Sequence, residues 1–419
     1  MNHKFSLTCL LIMFYLPPSV LAETETTVDH RHVLPLPVSA DLNLHDVVEA
    51  TYQRNPRLQV IEARLRHISS LERQSESLWV EDPAFSLGHY NDLIMDNDGL
   101  QEWEVGLEMP LWLPGQKAAQ KRTIERQRRA IDSSVPALKL QLASIVREIL
   151  WDIALRKNQL VVARQEWEVT RKLEQDVEKR VSLGDLAQSD LILAQQESLA
   201  KEAAFQRAKQ EYHHSQHRYD MITGLDVLPA VFEEVMSPDL TIDTDHPGLK
   251  VLKDVVDSSH ALRDQTRIER RGNPTLFVGT RHERGNSEEG FANAIGMRIN
   301  IPLGLASQTM PKITAAEIAV AENQSAFELR HRQLNIEIQD VYRELMATKE
   351  QYEFAQRQRD LTSQNLSMSQ KAFALGESSL IDLIRIQALA FAAERNMHQK
   401  KLEVGRLTAR LNQARGIIP

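Results

Sequence analysis

Four short motifs occur twice in this chain, in one order and at one offset. Asn55-Pro56-x-Leu58 recurs as His246-Pro247-x-Leu249, 191 residues on. Pro83-x-Phe85-x-Leu87-Gly88 recurs at the same distance as Pro274-x-Leu276-x-Val278-Gly279. Met109-Pro110-Leu111 recurs as Ile301-Pro302-Leu303, 192 residues on. Leu183-Gly184, followed by Asp190, Leu191 and Gln195, recurs at that offset as Leu375-Gly376, Asp382, Leu383 and Gln387. Whatever the first half folds into, the second half must fold into as well. The chain therefore divides into an arm (23–43), a first repeat (44–223), a linker (224–245) and a second repeat (246–416).

Each repeat reads as helix, two strands, long helix, tight turn, helix. The first helix opens at Asn55, an N-cap with proline at N1, and runs to about Val80. Strands are expected over about Ala84–Tyr90 and Glu102–Met109. In the second of these, Trp103, Val105, Leu107 and Met109 alternate with Glu102, Glu104, Gly106 and Glu108. In the second repeat Phe291, Ile295, Met297, Ile299 and Ile301 alternate with Ala292, Ala294, Gly296, Arg298 and Asn300. A sandwich with its apolar face inward and a barrel with its apolar face outward both show this period. From about Gln116 to Arg180, apolar residues such as Leu138, Leu142, Ile145, Ile149 and Ile153 recur at helical spacing. At 1.5 Å per residue that helix is a rod of roughly 100 Å. The helix after the turn, Leu186–Thr223, is shorter, and Pro56–Val80 supplies about the missing length. The second arm of the hairpin is then two stacked pieces. Pro136 predicts a kink near Asp132 rather than a helix end.

The N-terminus reads as a secretory signal: a basic start at Lys4, an apolar core from Phe5 to Leu16, and cleavage after Ala22 (1–22). The one cysteine, Cys9, leaves with it. No later stretch holds 18 uncharged apolar residues. A mature chain that spans a membrane must therefore do so as a closed β-barrel. Four strands cannot close one, since bacterial barrels need at least ~8. The barrel must be shared among identical chains in a symmetric ring. Glycine and proline number 16 each and aromatics are 5%, a composition suited to long solvated helices. The formal charge of −8 argues against a nucleic-acid binder.

The strand exits Met109-Pro110-Leu111 and Ile301-Pro302-Leu303, with the two Leu-Gly turns, make the chain resemble the TolC-like outer membrane efflux family. The resemblance covers about Leu44 to Gly416. Leu111-Trp112-Leu113-Pro114-Gly115-Gln116-Lys117, with the compact length, looks most like the CzcC-like (cobalt-zinc-cadmium resistance) branch. The fold this implies is mainly α with a small β part: a trimeric α-helical tunnel in the periplasm and a shared twelve-stranded barrel in the outer membrane. The implied partners are two further copies, outer membrane lipid, a periplasmic adaptor and an inner-membrane (RND-type) pump. The implied function is a passive exit duct of a tripartite efflux system for divalent heavy-metal cations. Drug efflux or type I protein secretion is the alternative within the family, and a periplasmic coiled-coil scaffold without a pore is the alternative outside it. In the family, both turns are periplasmic tips that meet the adaptor, which places Leu183, Gly184, Asp190, Leu375, Gly376 and Asp382 at the docking surface. Carboxylates inside the second tip help close the entrance; Asp382 matches, whereas the position of a second carboxylate holds Arg385.

Other clusters have plain readings beside sharper ones. His213, His214 and His217 on one helix suit either a solvated surface or a shared metal. His30 and His32 in the arm are weaker candidates of the same kind. Asp92, Asp96 and Asp98 join the first two strands, as a solvated loop or a weak attractor of cations. Lys117, Lys121, Arg122, Arg126, Arg128 and Arg129 form a solvated face or a positive belt near lipid headgroups. Ser189 and Ser378 lie near the starts of the helices after the turns, placed to cap them. There is no Ser/His/Asp set, phosphate loop or Cys cluster, so neither an enzyme nor a cofactor is expected.

Overall fold

The computed structural model describes residues 35–94, 97–236, 240–242 and 245–419. The signal segment, His30, His32 and Asp96 lie outside the described residues. The elements, in order, are β1 (Val38–Ser39), α1 (Leu44–Gln53), α2 (Arg57–Glu76), β2 (Ala84–Asn91), β3 (Gln101–Pro110), α3 (Gln116–Ser182) and α4 (Gln188–Thr223). There follow β4 (Leu228–Pro229), α5 (Pro247–Glu269), β5 (Thr275–Arg284), β6 (Ala292–Asn300), α6 (Ala306–Ala374) and α7 (Leu380–Ala414). The repeats match closely. α3 and α6 have 67 and 69 residues, α4 and α7 have 36 and 35, and α2 and α5 have 20 and 23. α3 continues through Pro136 and does not end there.

The first helix differs from expectation at both ends. A separate helix, α1, precedes Asn55. It starts in a capping box: Asn43 Oδ1 accepts from the Asp46 N–H (2.9 Å), and Asp46 Oδ2 accepts from the Asn43 N–H (3.2 Å). Pro56 has no N–H to continue α1, so the chain turns, and Asn55 Oδ1 takes up the Arg57 N–H at 2.9 Å. α2 then stops at Glu76 rather than Val80. Tertiary contacts claim the Ser77 carbonyl, which accepts from Lys117 Nζ (3.0 Å) and Trp112 Nε1 (3.2 Å).

The helices pack side by side in a single layer. Near the turns the neighbour order is α4–α3–α7–α6; near the strands it is α2–α3–α5–α6. The four strands form one antiparallel sheet, β2–β3–β5–β6, in which the β3–β5 ladder joins the two repeats. β2 follows α2 and β6 leads into α6. Sheet and rods therefore end on the same two edges, one formed by α2, β2 and α4 and the other by α6 and β6.

Halfway along the rods the layer is thickened. α1 packs Val47 and Val48 against Val146 and Leu150 of α3 and Tyr219 of α4. Burial pushes the Tyr219 phenol up to about 12, and its hydroxyl donates to the Val227 carbonyl at 3.0 Å. β1 pairs in parallel with β4, pinning the arm to the linker. Arg147 of α3 is only 4% exposed. It grips the Glu234 carboxylate of the linker through two hydrogen bonds of 2.7 and 2.8 Å. It also donates to the Ile417 carbonyl and to Gln413 Oε1, and Asn412 donates to the same carboxylate. First repeat, linker and C-terminus thus share one buried ion pair. Removing one partner of such a pair strands the other charge. Arg147→Ala is expected to lower stability by about 3–5 kcal/mol, with Arg147→Met/Glu234→Leu recovering most of it. Denaturant midpoints followed by helical circular dichroism test this, and an unchanged midpoint in Arg147→Ala would dismiss the pair as an organising contact.

Candidate functional site

Both turns close by the same backbone device. Gly184 and Gly376 take left-handed φ values of 85° and 78°. The Gly184 N–H then reaches the Val181 carbonyl (3.0 Å) and the Asp185 N–H the Arg180 carbonyl (2.9 Å). Gly376 and Glu377 repeat these bonds to Phe373 and Ala372 (3.1 and 2.9 Å). This is the paired-bond C-cap that a residue without Cβ favours. A Cβ at either glycine would meet nothing within 4 Å, so both turns stand clear of the chain. Leu183 and Leu375, at matching positions, are 77% and 75% exposed.

The helix starts after the turns are capped differently from expectation. Ser189 lies inside α4 and Ser378 one residue before the cap position of α7. Ser379 is the cap: its Oγ accepts from the Asp382 N–H (3.2 Å) and donates to Asp382 Oδ2 (2.6 Å). In the first repeat the matching residue is Ala187. The Asp190 carboxylate alone reaches back to its N–H at 3.2 Å. Asp190 and Asp382 thus have a structural task at equivalent places. Asp382 and Arg385 are both exposed, on the first turns of α7.

A contact that the sequence did not reveal joins the two tips. Arg180, at the end of α3, donates to the Phe373 and Ala374 carbonyls (3.1 and 3.3 Å) at the end of α6 and covers the Phe373 ring. It supplies donors to carbonyls that a helix C-terminus leaves open. Beneath it, Val177, Ala194, Phe373, Leu380 and Leu383 form one apolar cluster drawn from all four helices. Farther up, the Glu166 carboxylate of α3 is shared by Lys201 of α4 and Arg395 of α7.

The sheet has two unlike faces. Outward along one face run Phe85 and Leu87, then Leu107 and Val105, then Val278, then Met297 and Ile295, by register. All are partly or largely exposed. The other face carries Glu102, Glu104, Glu108, Arg281, Glu283 and Arg298. Arg281 pairs with Glu102 (2.7 Å) and Arg298 with Glu104 (2.6 Å). On this polar face Gly106, Gly279 and Gly296 form a row across three strands. The Phe277 ring lies over Gly106 and Gly279 and is 5% exposed, with the Arg298 guanidinium 5.1 Å above its centre.

The remaining clusters dissolve into separate roles. His214 and His217 are exposed and His213 half-buried beside the Tyr212 ring. Among the described residues, no three His, Cys, Asp or Glu come together to hold a metal. Asp92 accepts the Gly99 N–H at 3.0 Å and shapes its own loop. The basic run divides: Arg126, Arg128 and Arg129 pair with Asp257, Glu72 and Glu125. Lys121 and Arg122 are exposed without such partners.

No family model and no curated protein matches the sequence. The structure, however, is similar to solved outer membrane proteins along nearly its whole length. VceC, an outer membrane protein of Vibrio cholerae, is 15% identical with a TM-score of 0.71, over 89% of this chain and 96% of that one. The CmeC outer membrane channel of Campylobacter jejuni is 14% identical, with a TM-score of 0.70 over 89% and 85%. The open MtrE outer membrane channel of Neisseria gonorrhoeae is 15% identical, with a TM-score of 0.68 over 97% and 98%. The fold is thus the TolC-like one: mainly helical, duplicated, with a small sheet.

The glycine trough makes a sharp expectation. A Cβ on Gly106 would stand 2.5 Å from the Phe277 ring, whereas one on Gly296 would meet nothing within 4 Å. Gly106→Ala is expected to cost about 1–3 kcal/mol through overpacking, and Phe277→Ala should recover only part of it, because the Val278 carbonyl would still stand 2.7 Å from the new Cβ. Gly296→Ala should stay within about 0.5 kcal/mol of the parent. The temperature at which heat-modifiable gel mobility is lost orders the three, and equal loss in both single variants would argue against the trough.

Proposed function

We propose that the chain is the outer membrane duct of a tripartite efflux system, a passive exit driven by a partner pump. The observation that carries this reading is the pair of coincident edges. β2 and β6 present unpaired backbone at the two sides of the sheet. α6 presents Ile336, Phe354, Leu361 and Met368 to solvent on one side, and Val60, Ile192 and Leu199 lie exposed on the other. The last three α6 residues are spaced by seven, the period of a helix seam. Unlike edges joined head to tail close into a ring. Three copies of a four-stranded sheet give twelve strands, apolar outside and charged inside, above a cylinder of rods.

The tips, roughly 100 Å from the sheet by helix rise, face the periplasm in this reading. Leu183 and Leu375, held out by Gly184 and Gly376 and set by Asp190 and Asp382, form the adaptor-docking surface. Asp382 and Arg385 are the periplasmic gate. The likeness of Leu111–Lys117 to the CzcC-like branch makes divalent heavy-metal cations the cargo, delivered by an RND-type pump.

Two outcomes follow. The protein extracted in mild detergent should be a trimer, and a monodisperse monomer with full strand content would defeat the ring. Gly184→Trp/Gly376→Trp should leave trimer levels in the outer membrane normal. It should abolish both adaptor crosslinking and the divalent-metal resistance that deleting the gene removes. Full crosslinking and resistance in that variant would rule the tips out as the docking surface. Loss of drug tolerance with intact metal tolerance on deletion would overturn the cargo.

A further inference from the structure

Where the strands give way to helices, the chain exposes a skirt of apolar residues with cations directly behind it. The strand exits share a Pro-Leu-x-Leu pattern, Pro110 to Leu113 and Pro302 to Leu305. On the second exit Ile301, Leu303 and Leu305 are largely exposed, Leu303 by 87%. This exit packs on the end of α5. A Cβ on Gly304 would stand 2.8 Å from Arg271 Cα, and one on Gly272 would stand 3.0 Å from Pro302. Arg270 and Arg271 therefore stand beside the exposed leucines. Both are exposed and make no hydrogen bond or ion pair among the described residues. At the first exit, Leu78 is exposed next to the Ser77 carbonyl that Trp112 and Lys117 share, and Lys117 lies over the Trp112 ring. Lys121, one helical turn on, and Arg122 are again exposed and make no ion pair among the described residues. Each exit thus sets apolar side chains toward the sheet and fixed positive charge on the rod side.

The spacing gives this arrangement a meaning. From Met109 to Trp103 the outward-facing stretch of β3 is seven residues, about 20 Å along the strand. Strands in outer membrane barrels are tilted by ~35–45°, so its height is less than the ~25 Å apolar band such barrels need. The skirt supplies the missing height at the helix end. The next layer outward from hydrocarbon is the headgroup layer, and there the chain holds Arg270, Arg271, Lys121 and Arg122. Glu81 and Asp82 stand on the link before β2, so the second exit is the more purely cationic of the two.

We infer that these two exits form a collar that binds the phosphates of anionic glycerophospholipids in the periplasmic leaflet, chiefly through Arg270 and Arg271. The inference rests on the outer membrane reading above. The opposite rim of the sheet carries Asp92, Asp98, Glu288 and Glu289, which repel phosphate. The anionic lipid is therefore one of the leaflet nearest the rods, not a lipid A phosphate at the far rim.

The test uses the full-length mature protein in phosphatidylcholine vesicles doped with spin-labelled phosphatidylglycerol, phosphatidylcholine or lipid A. Phosphatidylglycerol should be motionally restricted about fivefold more strongly than phosphatidylcholine, the effect of one effective cation at the surface. High salt should remove the preference, as should Arg270→Gln/Arg271→Gln, with Lys121→Gln/Arg122→Gln producing a smaller loss. Trimer yield and single-channel conductance in the same vesicles report on the duct itself and should be unchanged in both variants. Normal conductance with equal restriction of the two phospholipids would overturn the collar and leave the duct standing. A preference that survives Arg270→Gln/Arg271→Gln, or that follows lipid A, would overturn it as well. Failure to insert or conduct in any vesicle would overturn the duct and the collar together.

Discussion

Two strand edges, β2 and β6, have no partner among the described residues. In water such edges invite aggregation; in hydrocarbon they are untenable, because nothing there can satisfy the exposed N–H and C=O groups. The rest of the structure is arranged around that constraint. The rods do not wrap the sheet into a closed globule. They continue its layer, so that the helix edges lie in line with the strand edges. In the ring proposed above, one operation that joins β6 to the next β2 also brings α6 against the next α2 and α4. Strand pairing and helix packing are then met by the same neighbour, and neither can be satisfied without the other.

The duplication sets this layer, and the departures from it mark where the two halves do different work. Among the described residues α1 has no counterpart in the second repeat. It fills the space beside α3 and α4 where the linker and the C-terminal segment meet, around Arg147 and Glu234. The tips depart in smaller ways. Ser379 caps α7 where Ala187 stands at the start of α4, so Asp382 is held by a hydroxyl that Asp190 lacks. Arg180 closes the end of α6, whereas the matching position in the second repeat is Ala372. The first tip thus donates hydrogen bonds to the second with none returned among the described residues, while the shared apolar cluster packs the two tips on each other.

Much of this was legible in the sequence, for reasons that can be named. β2 and β3 fall within about a residue of expectation because alternation with period two is bounded by Pro83 and Pro110. The long helices and their turns were legible because only glycine ends two successive rods so abruptly. The Asn55-Pro56 signal hides the separate α1, whose own start, the Asn43…Asp46 capping pair, lies twelve residues earlier. Ser379 rather than Ser378 caps α7, a distinction that backbone register alone makes between two adjacent serines. Arg180, Arg147 and the shared Glu166 could not be read at all. Each acts on a group far away in the chain, and a local pattern carries no record of it.

Phe277 lies between these cases. As an apolar residue among the charged positions of its strand it breaks the alternation, which is a visible anomaly. Its explanation is spread over three strands, since Gly106 and Gly296 are distant in sequence and only the register sets them beside Gly279. With side chains at Gly106 and Gly279, the ring and the Arg298 chain above it would be lifted off the sheet, toward the bore of the ring proposed above. Laid flat, they fill the trough that the glycines leave, and Arg298 crosses it to reach Glu104. The same row therefore serves two ends. It lets β3, β5 and β6 be cross-braced by an aromatic ring and an ion pair, and it keeps that bracing within the thickness of the sheet. In the proposed duct this places the cross-bracing on the wall rather than across the bore, and Gly106 and Gly279 supply the room for the ring.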